Sequence, residues 1–258
     1  PSSATPTLHS FHNTTVGKYG TTNCWAHRRH FALSSDPYRT AYHFQPANGM
    51  WMNDPNGPMY YGGVYHLFYQ YNPLSTNAYN MHWGHAVSPD MVHWTELPIA
   101  LYPDVGNECG GEWSGSATPH AVVNHTDKMP VLSYSVQCNN YFGQAIPSNT
   151  SDPLLVNWSK PSYNPVAARP KDPREHGGFR DPSESWLGTD GKWRQVAACT
   201  GGACLFTSND FMRWSFEGYA AYPWAPPPLA TSTPLLEEKE EVVVDDAYAP
   251  LLVLSGYQ

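Results

Sequence analysis

Charge is scarce in this 258-residue chain, with only 14 % of its residues Asp, Glu, Lys or Arg. Cations are scarcest, 14 Lys and Arg against 22 Asp and Glu, for a formal charge of -8. That balance excludes a nucleic-acid binder on charge. The acidity itself is local: residues 237 to 246 hold six acids and one Lys, a net of -5 that leaves -3 for everything else. Such a run is usually a solvated tail. No stretch of 18 apolar residues occurs, so no membrane span is expected. Between residues 41 and 218 no 3.6-residue hydrophobic period persists for a dozen residues, which argues against a helical domain. Cysteine is limited to Cys24, Cys109, Cys138, Cys199 and Cys204, an odd set that leaves at least one free, buried or paired with another chain. Cys199 and Cys204 are spaced to close a small hairpin loop. Metal ligands in usable spacing are wanting too. Cys24-Trp25-Ala26-His27-Arg28-Arg29-His30 lacks the spacing and further ligand of a structural zinc site, and His82 and His85 read as hydrogen-bonded strand histidines. No metal or cofactor is expected.

Aromatic residues are abundant: ten Trp and 17 Tyr in a chain with few charges suit a protein that stacks on sugar rings, although large β cores use aromatics as well. Residues 41 to 218 alternate short aromatic or β-branched runs with Gly, Pro, Asn and Asp, an all-β pattern. Ser88-Pro89-Asp90-Met91-Val92-His93-Trp94-Thr95 returns as Ser208-Asn209-Asp210-Phe211-Met212-Arg213-Trp214-Ser215, and Ser151-Asp152 with Trp158-Ser159 is a looser copy. The three Trp lie 64 and 56 residues apart, a period that fits four strands with their loops, the blade of a β-propeller. A β-sandwich would not place the same turn before each Trp. Residues 1–40 read as an irregular arm and 41–218 as the propeller-type domain. Residues 219–258 read as a Pro-rich then acidic tail, with helix and added strand both open for its acidic part. The start Pro-Ser-Ser, without Met, fits a trimmed product or a fragment.

The densest local signal is Trp51-Met52-Asn53-Asp54-Pro55-Asn56-Gly57, followed by Gly62-Gly63 and Phe68-Tyr69-Gln70-Tyr71-Asn72-Pro73. Pro55 biases Asp54 toward an extended backbone, while Asn56-Gly57 favours a chain reversal. A two-residue turn at Gly62-Gly63 makes paired positions sum to 125, so Tyr61 faces Val64 and Pro55 faces Gln70. Asp54 and Gln70 then share the open end of one hairpin. The competing reading is an Asp that merely caps an Asx turn.

This segment and the sequences after it resemble the glycoside hydrolase family 32 of invertases, fructan hydrolases and fructosyltransferases. The resemblance runs through Trp83-Gly84-His85-Ala86-Val87-Ser88, Trp113-Ser114-Gly115-Ser116-Ala117-Thr118, Ser151-Asp152-Pro153-Leu154 and Phe179-Arg180-Asp181-Pro182, in family order. It implies a five-bladed β-propeller followed by a β-sandwich, here cut to about three blades. It also implies a retaining double displacement on sucrose or a fructan. Retention needs a nucleophilic carboxylate and a proton donor about 5 to 5.5 Å apart, and a third carboxylate can hold ring hydroxyls. By resemblance Asp54 is the nucleophile and Asp181 the transition-state stabiliser. Asn53, Gln70, Trp83, Trp113, Ser114 and Arg180 would line the sugar site. Arg180 is expected to lower the pKa of Asp181. The acid/base Glu of the family, followed by Cys after the Arg-Asp-Pro motif, is not found. Glu108-Cys109 precedes the motif, and Glu217 lacks flanking matches. The expectation is therefore an enzyme family member whose chain as given lacks its proton donor and is inactive. The alternative is a non-catalytic protein that keeps the sugar site for binding or regulation. Sequons at Asn13, Asn124, Asn149 and Asn157 point to a glycoprotein on the secretory route, outside the cell, or in the cell wall or vacuole if the organism is a plant. Sucrose against fructan, hydrolase against transferase, and oligomeric state stay open.

Overall fold

The computed structural model describes residues 38, 43–103, 111–136, 140–171, 178–200 and 202–221. The N-terminal arm apart from Tyr38, the Cys24 to His30 cluster, Glu108, Cys109, Cys138 and residues 222–258 lie outside them. The described residues form strands and no helix. Each of the three antiparallel sheets is laid down in sequence order, as the short alternating runs require. The first comprises β1 (Trp51–Tyr61), β2 (Val64–Asn72), β3 (His82–Ser88) and β4 (Thr95–Leu101). The second comprises β5 (Trp113–Val123), β6 (Asp127–Val136), β7 (Tyr141–Pro147) and β8 (Trp158–Ser159), with β9 (Ala167–Ala168) also on β7. The third comprises β10 (Trp186–Leu187), β11 (Trp193–Cys199), β12 (Gly202–Ser208) and β13 (Ser215–Ala221).

The sheets meet along their first strands. Gly57 of β1 lies against Ala117 of β5, and the N–H of Ser185, at the entry to β10, donates to Thr118 Oγ1 of β5 at 3.0 Å. One core joins the first sheet to the second through Phe68, Trp83, Leu132, Tyr134 and Leu155. Another joins the second to the third through Phe142, Phe179, Phe206 and Phe211. Strands covered on both faces lose the polar half of their alternation, which is why β3 is buried at every residue. A disulfide between Cys199 and Cys204 clips the β11–β12 hairpin.

The Gly62-Gly63 turn forms with φ of +60° and +87°, and Tyr61 pairs with Val64. The expected register fails further along β1, where Pro55 faces Tyr69 rather than Gln70. Two register shifts intervene, and the physical reason is in the sequence of the strand. Pro55 and Pro58 donate no backbone hydrogen bond, and Gly57 takes a left-handed φ of +47°. Asn56-Gly57 is thus part of a bulged strand and not a reversal. One shift leaves Asn53 and Asp54 together opposite Gln70.

The repeated Asp turn recurs between the third and fourth strands. Asp90 Oδ1 accepts the N–H groups of Val92 and His93 at 2.9 and 2.7 Å, and Trp94 Nε1 donates to Met91 O at 3.1 Å. Asp210 does the same for Met212 and Arg213 at 2.8 and 2.9 Å, and Trp214 Nε1 donates to Phe211 O at 3.1 Å. In the second sheet Asp152 accepts from Leu154 and Val156 at 3.0 and 3.1 Å.

Candidate active site

Side chains from all three sheets converge where the first strands meet. The bulge in β1 exposes Asp54, and Ser114 of β5 donates its hydroxyl to Asp54 Oδ2 at 2.6 Å. Ser135 of β6, fully buried, donates to Ser114 O at 2.7 Å. The same Ser135 Oγ accepts the N–H of Asp181 at 3.3 Å. A chain of hydrogen bonds therefore runs from the carboxylate of the first sheet, across the second, to the backbone of the other carboxylate at the edge of the third. Asp181 sits at φ +57°, a strained position for a residue with a side chain, and such strain collects at functional sites. Its backbone is framed by the two hydrogen bonds between Arg180 and Ala198, 3.1 and 2.9 Å.

Arg180 Nε lies 3.2 Å from Asp181 Oδ2. Arg180 lowers the Asp181 pKa as expected, but its effect is outweighed. The Asp181 carboxyl is pushed above the usual Asp range, first by desolvation among the surrounding walls, although 43 % of the side chain still meets solvent. Arg180 opposes that shift, and the charge of Asp54 adds to it.

The other expected lining residues divide by exposure. Asn53 is half-buried and accepts from Trp51 Nε1 at 2.7 Å. Trp113 and Ser114 are half-buried, and Arg180 is exposed. Trp83 and Gln70 are fully buried and stand in the wall. Trp83 Nε1 donates to Trp113 O at 3.2 Å, joining the first sheet to the second, and Gln70 Nε2 donates to Glu112 O at 3.0 Å. Gln70 Oε1 and both amide atoms of Asn56 are buried without a protein partner. Buried amides in that state supply hydrogen bonds to water or a polar ligand. Asn56 was legible only as a turn residue.

A proton donor must come from a carboxylic acid that can hold its proton. Of the four described Glu residues, Glu96 accepts the N–H of Ala47 on β4, and Glu112 forms a buried ion pair with Lys160. Glu217 lies on β13, the strand of the third sheet farthest from β10, and accepts from Thr207 Oγ1 at 2.7 Å. Glu184 follows Asp181 by three residues on the segment entering β10, and desolvation raises its pKa. That direction suits a general acid. Sequence reasoning passed over Glu184 because no motif surrounds it. Among the described residues no group of His, Cys, Asp and Glu is arranged to hold a metal ion.

Residues 43–223 match the family described as "Glycosyl hydrolases family 32 N-terminal domain". The chain is 48 % identical over 188 residues to beta-fructofuranosidase, insoluble isoenzyme 7, of Oryza sativa, covering 68 % of this chain and 30 % of the relative. It is 46 % identical over 185 residues to the cell wall isozyme of beta-fructofuranosidase of Pisum sativum, covering 69 % and 32 %. Among solved structures, fructan 1-exohydrolase IIa from Cichorium intybus superposes with a TM-score of 0.62 at 42 % identity, over 70 % of this chain and 34 % of that one. A variant of that enzyme is solved with 1-kestose. The chain thus spans about a third of the length of the relatives it matches.

Proposed function

This chain belongs to glycosyl hydrolase family 32, a family of β-propeller enzymes, and on that premise we propose that it carries the nucleophile half of a β-fructofuranosidase-type site. In this reading the fructosyl unit of sucrose or a fructan sits over Asp54, which attacks the anomeric carbon and forms a glycosyl-enzyme. Water then releases the sugar with net retention. Asp181 binds ring hydroxyls and strengthens those bonds as positive charge builds in the transition state. Asn53, Trp113 and Arg180 contact the sugar, and Trp83 and Gln70 hold the wall behind it. The observation that supports the reading is the Ser114–Ser135 link, which ties the carboxylate of Asp54 on the first sheet to the backbone N–H of Asp181 beside the third.

The attacking Asp54 needs a partner that protonates the departing oxygen, and none of the described Glu residues occupies a family-type segment. Loss of general-acid help costs roughly 10² to 10⁴ in rate. Purified as 258 residues, the chain should therefore release negligible fructose from sucrose, inulin or levan. Turnover at an ordinary enzymatic rate would overturn this part, and Glu184→Gln would then identify the donor. The same observation favours a second reading, a protein that binds sucrose or fructan without turnover; millimolar fructoside binding with no product would support it.

Three further features favour the secretory route, toward the cell wall. Pea supplies a relative named as a cell wall isozyme, Cys199 and Cys204 are oxidised, and the sequons at Asn124, Asn149 and Asn157 are exposed. Asn13 lies outside the described residues. Endoglycosidase treatment of the native protein should lower its apparent mass, and an unchanged mass would count against luminal residence.

A further inference from the structure

Ser114 meets Asp54 although neither residue sits in a regular ladder. Asp54 is one of two β1 residues opposite Gln70. On β5, Trp113 pairs with Ser135 and Gly115 with Tyr134, so Ser114 is likewise the extra residue of a bulge. Such a residue is left out of the ladder, and its aim depends on what holds the backbone beside it. Ser135 supplies one hold, the bond to Ser114 O at 2.7 Å. Glu112 supplies the other, two residues before Ser114 and fully buried. It is pinned at three points. Its N–H donates to Met81 O at 3.0 Å, its C=O accepts Gln70 Nε2 at 3.0 Å, and its carboxylate pairs with Lys160. Between Glu112 and Ser114, Trp113 O accepts Trp83 Nε1 at 3.2 Å, so the approach to the bulge is tied down residue by residue.

Lys160 directly follows β8, on the second sheet, and its side chain is 16 % exposed. Its ammonium reaches the Glu112 carboxylate, donates to Tyr102 O just past β4 of the first sheet at 2.7 Å, and lies 5.6 Å from the centre of the Tyr134 ring. A buried pair of this kind adds little net stability, because desolvation of both charges offsets their attraction, whereas removal of one partner strands the other. What it supplies is a fixed place for the chain that carries it. We propose that Lys160 and Glu112 are positioning residues: the pair locks the start of β5 so that the Ser114 hydroxyl holds Asp54 in its attacking position. This deepens the β-fructofuranosidase reading and rests on it.

The whole chain, given an aryl β-fructofuranoside and assayed by mass spectrometry for the fructosyl adduct on Asp54, tests this. Glu112→Gln and Lys160→Met should each lower the urea midpoint, because each strands the remaining partner. Glu112→Met/Lys160→Met should bring the midpoint back near wild type, since apolar groups of similar size then replace the pair. Its adduct rate at saturating fructoside should nevertheless stay about 10- to 100-fold down, the cost of a misplaced reacting group. The half-saturating concentration should change little, because Asn53 and Arg180 lie outside the 112–114 segment. Ser114→Ala alone should lose as much, and adding it to the double variant should cost little more, since both act through one hydroxyl. In carboxyl ¹³C NMR the Asp54 signal of the double variant should move to where Ser114→Ala puts it. Glu112→Gln/Lys160→Gln replaces the apolar pair if that one unfolds. A rate that recovers with the midpoint, or a full second loss on adding Ser114→Ala, would overturn the proposal. If the wild-type chain forms no adduct, the fructosyl reading falls and the Asp54 signal decides: unmoved in the double variant, it overturns the positioning role as well.

Discussion

Replacing Gly57 by Ala introduces two separable costs. The first is conformational: Gly57 sits at φ +47°, where a Cβ costs about 1 to 2 kcal/mol. The second is steric, because that Cβ would lie 2.8 Å from Ala117 N and 2.9 Å from Ala117 Cβ. Overpacking of that kind costs about 1 to 3 kcal/mol when neighbours must move. Gly63 supplies the control, since it also has a positive φ, +87°, but a Cβ there meets nothing within 4 Å. Gly63→Ala should lose only the conformational part, and Gly57→Ala roughly 1 to 3 kcal/mol more. In urea unfolding followed by Trp fluorescence, that difference is a midpoint gap of up to about 1 M at a slope near 3 kcal/mol/M. Adding Ala117→Gly should recover part of it, since the backbone N at 2.8 Å remains. Equal midpoints for Gly57→Ala and Gly63→Ala would refute the view that close approach of β1 to β5 fixes the bulge carrying Asp54.

Asp181 should titrate above the ordinary Asp range in carboxyl ¹³C NMR, and Asp54→Asn should move it down by removing a neighbouring charge; no movement would separate the two groups. His66 and His85 form a buried pair, Nδ1 to Nε2 at 3.0 Å, and burial lowers both pKa values from 6.5. The folded pair stays neutral where unfolded histidines take up protons, so its stability is present above pH about 6.5 and is lost as the pH falls below it. The urea midpoint should drop from pH 7 to pH 5, and drop less in His66→Gln/His85→Gln. Cys199→Ser/Cys204→Ser should cost about 2 kcal/mol by the loop-closure relation for so short a loop, read from thermal unfolding with and without reductant.

The sheets were legible because Asp turns and Trp recur along the chain, and the Gly62-Gly63 turn because two glycines accept positive φ together. The register beyond that turn was not, since counting back from the turn assumes an unbroken ladder and Pro55, Gly57 and Pro58 break it. Asp54 stood out in its local turn segment, while its proposed role, and Asp181 altogether, came only through family resemblance. The physics between them was not: Ser135, the desolvation of Asp181 and its neighbour Asp54 depend on packing between sheets far apart in sequence. Trp83 reads as a ring for a sugar and sits in a wall, because a strand covered on both faces carries no alternation to show which way a ring points. Asn56 read only as a turn residue, and Glu184 stood in no motif.

The central claim is that Asp54 is a nucleophile held ready beside Asp181, and a fructoside with an activated leaving group tests it without any proton donor. Incubation with an aryl β-fructofuranoside, rapid acid quench and peptide mass spectrometry should find one fructosyl residue on the peptide containing Asp54, and none in Asp54→Asn. No adduct on the wild-type chain despite fructoside binding, or an adduct that persists in Asp54→Asn, would contradict the account.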